Sequence, residues 1–316
     1  MSTKSDETKG SSTIVDAGRR TLLAAAGAAS VALPLAAYLG REPWRGPRSA
    51  LAEPGPRTRQ SYWRGNYFVH ENVDATRFES AGIVRAYVDG EWREFVNRPL
   101  GDDFVDWNIG RRLEILADPM TQMQCLDGPH SGCLATYGAN RGDSVFTLNA
   151  AFKGFGFYPR ESEIDDAIQE VIDFWGDDMM TILSVLRTFY RDRAMWDLRI
   201  LSSLELYTTP EFETHSFLNQ MANPVATICW LAIPGSFEVR AVPRLLHPLD
   251  PDLPDIDRKR LHWVNLMHDF FHGSDAGVPL PDPDNLTWIG CIYYNVEVFD
   301  NSPYPGPMGI RTTPAL

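Results

Sequence analysis

Cysteine and positive charge are both scarce in this chain of 316 residues, which has four cysteines and 29 Lys and Arg against 42 Asp and Glu. With four cysteines at most three pairings can be drawn, so the core must hold the fold; 44% apolar residues, nine Trp and sixteen Phe suffice for that. The formal charge is −13, and without residues 1–52 the balance is 22 basic against 38 acidic side chains, or −16. Such a surface repels phosphate backbones and anionic lipid, so no nucleic acid is expected as a partner. Motifs of common chemistry are missing too. Gly154-Phe155-Gly156-Phe157 lacks the third glycine of a dinucleotide loop. Ser131, in Pro129-His130-Ser131-Gly132, reads as a loop residue without the strand-turn-helix setting of a nucleophile elbow. No repeat of solenoid length is present.

What is present begins with a leader. A polar tail precedes Gly18-Arg19-Arg20-Thr21-Leu22-Leu23, and an uncharged, alanine-rich stretch follows as far as Gly40. That order is the one found in secretory signals, and the paired arginines resemble the address read by the twin-arginine translocase. Residues 1–40 are therefore expected to act as an export signal or, if uncleaved, as an anchor. Four prolines in 41–60 suggest an extended linker. A single β-rich domain is expected over 61–302, followed by a tail over 303–316.

An oxidising compartment would permit disulfides. Cys125 and Cys133 flank a turn-rich heptapeptide whose ends could meet, so this pair is the expected bridge; Cys229 and Cys291 lie in apolar runs and read as buried strand thiols. Short β-branched and aromatic runs fill residues 62–157. Segments 82–88 and 91–96, joined by Asp89-Gly90, spell a hairpin, and residues 112–116 and 144–152 read as further strands. Between 162 and 192 the period changes. Ile164, Ala167, Ile168, Val171, Ile172 and Trp175 recur at helical spacing behind Ser162 as N-cap, and a second helix follows Gly176. Strands are expected again at 196–208, 226–233, 237–242 and 286–299. The fold class is thus α+β and β-rich: an antiparallel sheet or lipocalin-like barrel with inserted helices near 162–192 and 257–272.

Four segments resemble, in order, a bacterial family known as the domain of unknown function 1838. They are residues 83–97 with Arg98-Pro99-Leu100, then Leu116-Ala117-Asp118-Pro119-Met120, then Asn223-Pro224-Val225 leading to Cys229-Trp230, and Asn285-Leu286-Thr287-Trp288. The resemblance covers about a third of the exported part and implies a lipocalin-like barrel, a shape that commonly encloses one small apolar ligand. It supplies no catalytic residues, and the helical segment 161–192 departs from it.

The sharpest chemical cluster is Asn265-Leu266-Met267-His268-Asp269-Phe270-Phe271-His272. At helical spacing Asn265, His268, Asp269 and His272 share a face. His268 and His272, at i and i+4, could ligate a divalent metal if His215, His247 or His262 joined them. Either imidazole could instead act as a general base held by a carboxylate, although adjacent His268 and Asp269 are expected to diverge on a helix. The leading expectation is an exported, periplasmic protein enclosing a small apolar or aromatic molecule, as carrier or as enzyme without a tightly bound organic cofactor. The alternatives are a metal-dependent enzyme using His268 and His272, and an accessory subunit of a membrane complex.

Overall fold

The computed structural model describes residues 62–118, 128–233, 235–274, 277–303 and 309–314. The leader, the linker and Cys125 lie outside the described residues.

Two small β elements open the domain. Strands β1 (Trp63–Arg64) and β2 (Tyr67–Phe68) pair across Gly65, and β3 (Val73–Asp74), β4 (Ile83–Val88) and β5 (Glu91–Val96) form a three-stranded sheet. Asp89 and Gly90 both take positive φ, 51° and 91°, as a two-residue hairpin with right-handed strand twist requires. Between β3 and β4 lies a single helical turn, α1 (Phe78–Ala81).

The main sheet is wholly antiparallel. It contains β6 (Ser131–Thr136), β7 (Asn149–Gly154), β8 (Gly156–Pro159), β9 (Trp196–Glu205), β10 (Ala226–Ala232), β11 (Gly235–Leu246) and β12 (Ile289–Asp300), with β13 (Ile310–Arg311) beside β12. Its spatial order is β7-β6-β10-β11-β12-β9-β8. The two ends of that order, β7 and β8, are one stretch of chain interrupted only at Phe155. The sheet must therefore curl until its edges meet in residues 149–159, which makes the fold barrel-like although its strands do not follow one another in sequence order. Side chains fill the curl. Trp230 lies 5.3 Å from Phe155, ring to ring, and Phe155 lies 5.4 Å from Tyr293. Beside them Glu205 accepts from Lys153 at 2.5 Å, Gln220 at 3.1 Å and Ser216 at 3.2 Å, so the buried carboxylate is both paired and hydrogen-bonded.

Helices α2 (Asp102–Ala117), α3 (Ile164–Asp173), α4 (Met179–Arg191), α5 (His215–Ala222) and α6 (Asp255–His272) complete the described elements, with a 3-10 turn at Arg193–Met195. The amphipathic period predicted for 164–175 is realised in α3, whose Ile164, Ala167, Ile168 and Val171 are buried. Gly176, at φ 82°, separates it from α4, where the Asp178 side chain accepts from the Met180 and Thr181 amides at 2.9 and 3.2 Å. Ser162 is not the N-cap that the sequence suggests: Glu163 holds that position, and the Ser162 hydroxyl donates to the Glu163 carboxylate.

Other local expectations are corrected. Residues 112–116, expected as a strand, are the last turns of α2, whose buried face carries Phe104, Val105, Asn108, Ile109, Arg112 and Leu116. Two polar residues on that face mask the helical period. Ser131 opens β6 rather than sitting in a loop. Cys229, expected in the core, is exposed, because β10 buries Ala226, Ile228, Trp230 and Ala232 and turns the alternate positions outward.

The long helix α6 is anchored at its N-terminal half. Arg244 on β11 donates to Asp257 at 2.6 Å, and buried Arg260 bonds both Asp257 (3.5 Å) and Glu79 of α1; Glu79 also receives Arg199 at 2.9 Å. Leu261, Trp263, Val264, Leu266 and Phe270 are buried as well. With that half fixed, the C-terminal turn is held in place at the surface.

Candidate functional site

That last turn carries the histidines. His268 Nδ1 lies 2.7 Å from Asp269 Oδ1, so the adjacent side chains do not diverge as expected but meet in a direct hydrogen bond. Both are half-buried, with 25% and 21% of their side-chain surface free, which leaves room for the rotamers that bring them together. A carboxylate only accepts, so the bond assigns the proton to Nδ1 and leaves Nε2 as the basic nitrogen. The His272 ring stands 5.1 Å from that of His268, tilted by 58°. Burial, then the neighbouring His268, push the His272 pKa down to about 4, with Asp269 acting in the opposite sense. His272 is therefore neutral at physiological pH.

Aromatic walls flank the imidazoles. Trp288 meets His268 edge to face at 5.9 Å, and Phe271 meets His272 at 4.9 Å. Asn265 places the first of these: its Nδ2 donates to the Trp288 carbonyl at 3.1 Å, and its Oδ1 accepts from the Trp288 amide at 2.8 Å. The predicted polar face of α6 thus divides, with Asn265 buried and structural while His268, Asp269 and His272 remain reachable.

His130, the residue just before β6, joins the cluster electrostatically. Burial first, then Arg112, His272 and His268, push its pKa down to about 3, while a hydrogen bond to the Phe155 backbone opposes them. More than a third of the His130 surface is nonetheless free. The ring lies over Gly154, where a Cβ would stand 2.6 Å from His130 Nε2. Arg112 fixes the same corner. Its guanidinium donates to Asn108 Oδ1 (2.7 Å), the Tyr190 hydroxyl (3.1 Å) and the carbonyls of Pro129 (3.1 Å) and Phe155 (2.7 Å). No carboxylate neighbours it among the described residues, so its charge also keeps His130 neutral.

The three other histidines considered as metal ligands lie apart from this cluster. His247 packs against Trp63 and Phe68 at 5.5 and 5.1 Å, His262 faces Pro281 and Asp282, and His215 neighbours Arg141 and Asp143. No group of three His, Cys, Asp or Glu among the described residues has the arrangement needed for a metal ion. Cys133 carries a free thiol on the outer side of β6. A cleft of about 620 Å³ lies elsewhere, lined by Arg98, Leu100, Asp102, Phe104, Phe237 and Thr312 among others; none of the histidines borders it. No helix among the described residues is long and apolar enough to cross a membrane.

No protein-family model matches the chain, and no curated protein does. Among solved structures, a pyridoxamine 5'-phosphate oxidase-related, FMN-binding protein from Nostoc punctiforme is similar at 13% identity, over 63% of this chain and 84% of its own, with a TM-score of 0.35. HupZ from Group A Streptococcus is similar at 9% identity, over 58% of this chain and 90% of its own, with a TM-score of 0.30. These scores identify no family. The cluster at the end of α6 is thus to be read from its own geometry.

Proposed function

We propose that the protein binds a small apolar or aromatic molecule at the end of α6 and that His268 exchanges a proton with it. The observation that carries this reading is the 2.7 Å bond between His268 and Asp269 at a half-buried position. It orients the ring and fixes the tautomer, leaving Nε2 free to take a proton. Trp288 and Phe271 give the ligand flat apolar surfaces, while neutral His272 offers a hydrogen bond without a competing charge. The Trp230, Phe155 and Tyr293 rings packed inside the curled sheet favour this outer position over the inside of the barrel. Export through the twin-arginine translocase is part of the proposal and rests on Arg19 and Arg20.

The test is a thermal-shift screen of small phenols, aromatic carboxylic acids and aromatic amines on the purified protein, repeated with His268→Ala, Asp269→Asn and Trp288→Ala. A stabilising ligand is expected whose effect disappears in the His268 variant and whose affinity follows pH in the wild type. Equal stabilisation of wild type and His268→Ala would overturn the site, as would a screen without any ligand. Zinc added in place of the organic probes tests the divalent-metal alternative. Separately, Arg19→Lys with Arg20→Lys should hold the chain in the cytosol.

A further inference from the structure

Cys133 on β6 and Cys229 on β10 are directly opposed partners across an antiparallel strand pair. Opposed residues in such a ladder have Cα atoms about 4.5 or 5.5 Å apart, depending on whether they exchange hydrogen bonds. Both spacings fall within the roughly 4.4–6.8 Å that a disulfide spans. The two side chains also point the same way. Leu134 and Thr136 on β6, with Ile228 and Trp230 on β10, face inward, so the alternate positions 133 and 229 face outward together. Both thiols are free, Cys229 is exposed and Cys133 is half-buried. Cys291 is buried on β12, which β11 separates from β10, and so offers no competing partner.

We propose that Cys133 and Cys229 are a redox pair that closes into a cross-strand disulfide by exchange with a disulfide-bearing oxidant, such as oxidised glutathione or a dithiol oxidoreductase. One cysteine thiolate attacks the oxidant; the oxidant's S–S bond breaks, one of its thiols leaves, and a mixed disulfide forms. The second cysteine displaces the remaining half, so two protein thiols become one disulfide and the oxidant becomes two thiols, which carry away the two protons. Partial burial first, then Glu238 and Cys133, push the Cys229 thiol up to about 11. Its thiolate is scarce at neutral pH, and exchange accelerates as pH rises. The inference is independent of the proposed ligand site, which lies on α6.

The experiment equilibrates the full-length chain in glutathione buffers of increasing oxidation, traps remaining thiols with maleimide and maps the peptides by mass spectrometry. The expected product is a peptide joining Cys133 to Cys229 with loss of two hydrogen atoms. It should persist in Cys125→Ser, vanish in Cys133→Ser and Cys229→Ser, and form faster at higher pH and in Glu238→Gln. A Cys125 to Cys133 linkage, the bridge suggested by the turn-rich heptapeptide between them, would overturn the proposal. So would full maleimide labelling of both cysteines after equilibration with the most oxidising buffer, in protein whose near-ultraviolet circular dichroism is that of the folded state.

Discussion

Acid should destabilise this protein in part through His70, a buried histidine far from the candidate site. His70 is 6% exposed, and its Nδ1 accepts from the Leu245 amide at 3.0 Å, which only an unprotonated Nδ1 can do. Burial first, then the Arg244 guanidinium, push its pKa from the ordinary 6.5 down to about 3, against a smaller opposing effect of the Gln220 backbone. Below about pH 6.5 the unfolded chain takes up a proton that the folded chain refuses, so stability falls with pH until about pH 3, where both states hold it. Each pH unit in that window is worth about 1.4 kcal/mol, so His70 alone should remove about 3 kcal/mol between pH 7 and pH 4.5. His70→Asn keeps an acceptor near Nδ1 but cannot titrate; it should be less stable at pH 7 and flatter below it. Urea unfolding followed by Trp fluorescence at both pH values, in wild type and variant, measures the difference of slopes. Identical pH dependence in the two proteins would refute the reasoning, because every other histidine is common to both.

Two further outcomes concern the corner beneath His130. Arg112→Met leaves the Phe155 carbonyl without its side-chain donor and the Pro129 carbonyl with Asn108 Nδ2 alone, and should cost about 3 kcal/mol in urea unfolding, with Arg112→Lys recovering little because an ammonium cannot span both carbonyls and Asn108. Gly132→Ala would place a methyl 2.9 Å from Ile228 Cγ2 and from two ring atoms of Phe155, so overpacking should lower stability by about 1–3 kcal/mol, read from the denaturation midpoint.

Much of this architecture was legible where chemistry acts locally. Asp89-Gly90 announced its hairpin because few other dipeptides tolerate positive φ twice, and α3 announced itself by an uninterrupted apolar face. Strand β6 did not, since Ser131-Gly132-Cys133-Leu134-Ala135-Thr136 holds a single large apolar side chain and a glycine chosen for its contact with Phe155. Nor did α2, whose buried Asn108 and Arg112 serve distant carbonyls and break the apolar pattern. At the candidate site, His268, Asp269 and His272 could be read from helical spacing. Their mutual bond could not, because it depends on rotamers, and His130 was hidden because its approach to the histidines of α6 is purely tertiary.

The stretch from Asn149 to Pro159 belongs at once to both flanks of the main sheet, with Phe155 as the joint between its halves. A sheet built this way has no free terminal stave at that seam: peeling residues 149–154 from β6 drags on the pairing with β9, and the reverse holds equally. Local opening by loss of an outer strand, the usual first step toward intermolecular strand pairing, is thereby tied to rupture on the opposite side of the molecule. Amide protons of β6 and β9, remote in sequence, should accordingly exchange with solvent in one shared event rather than in two.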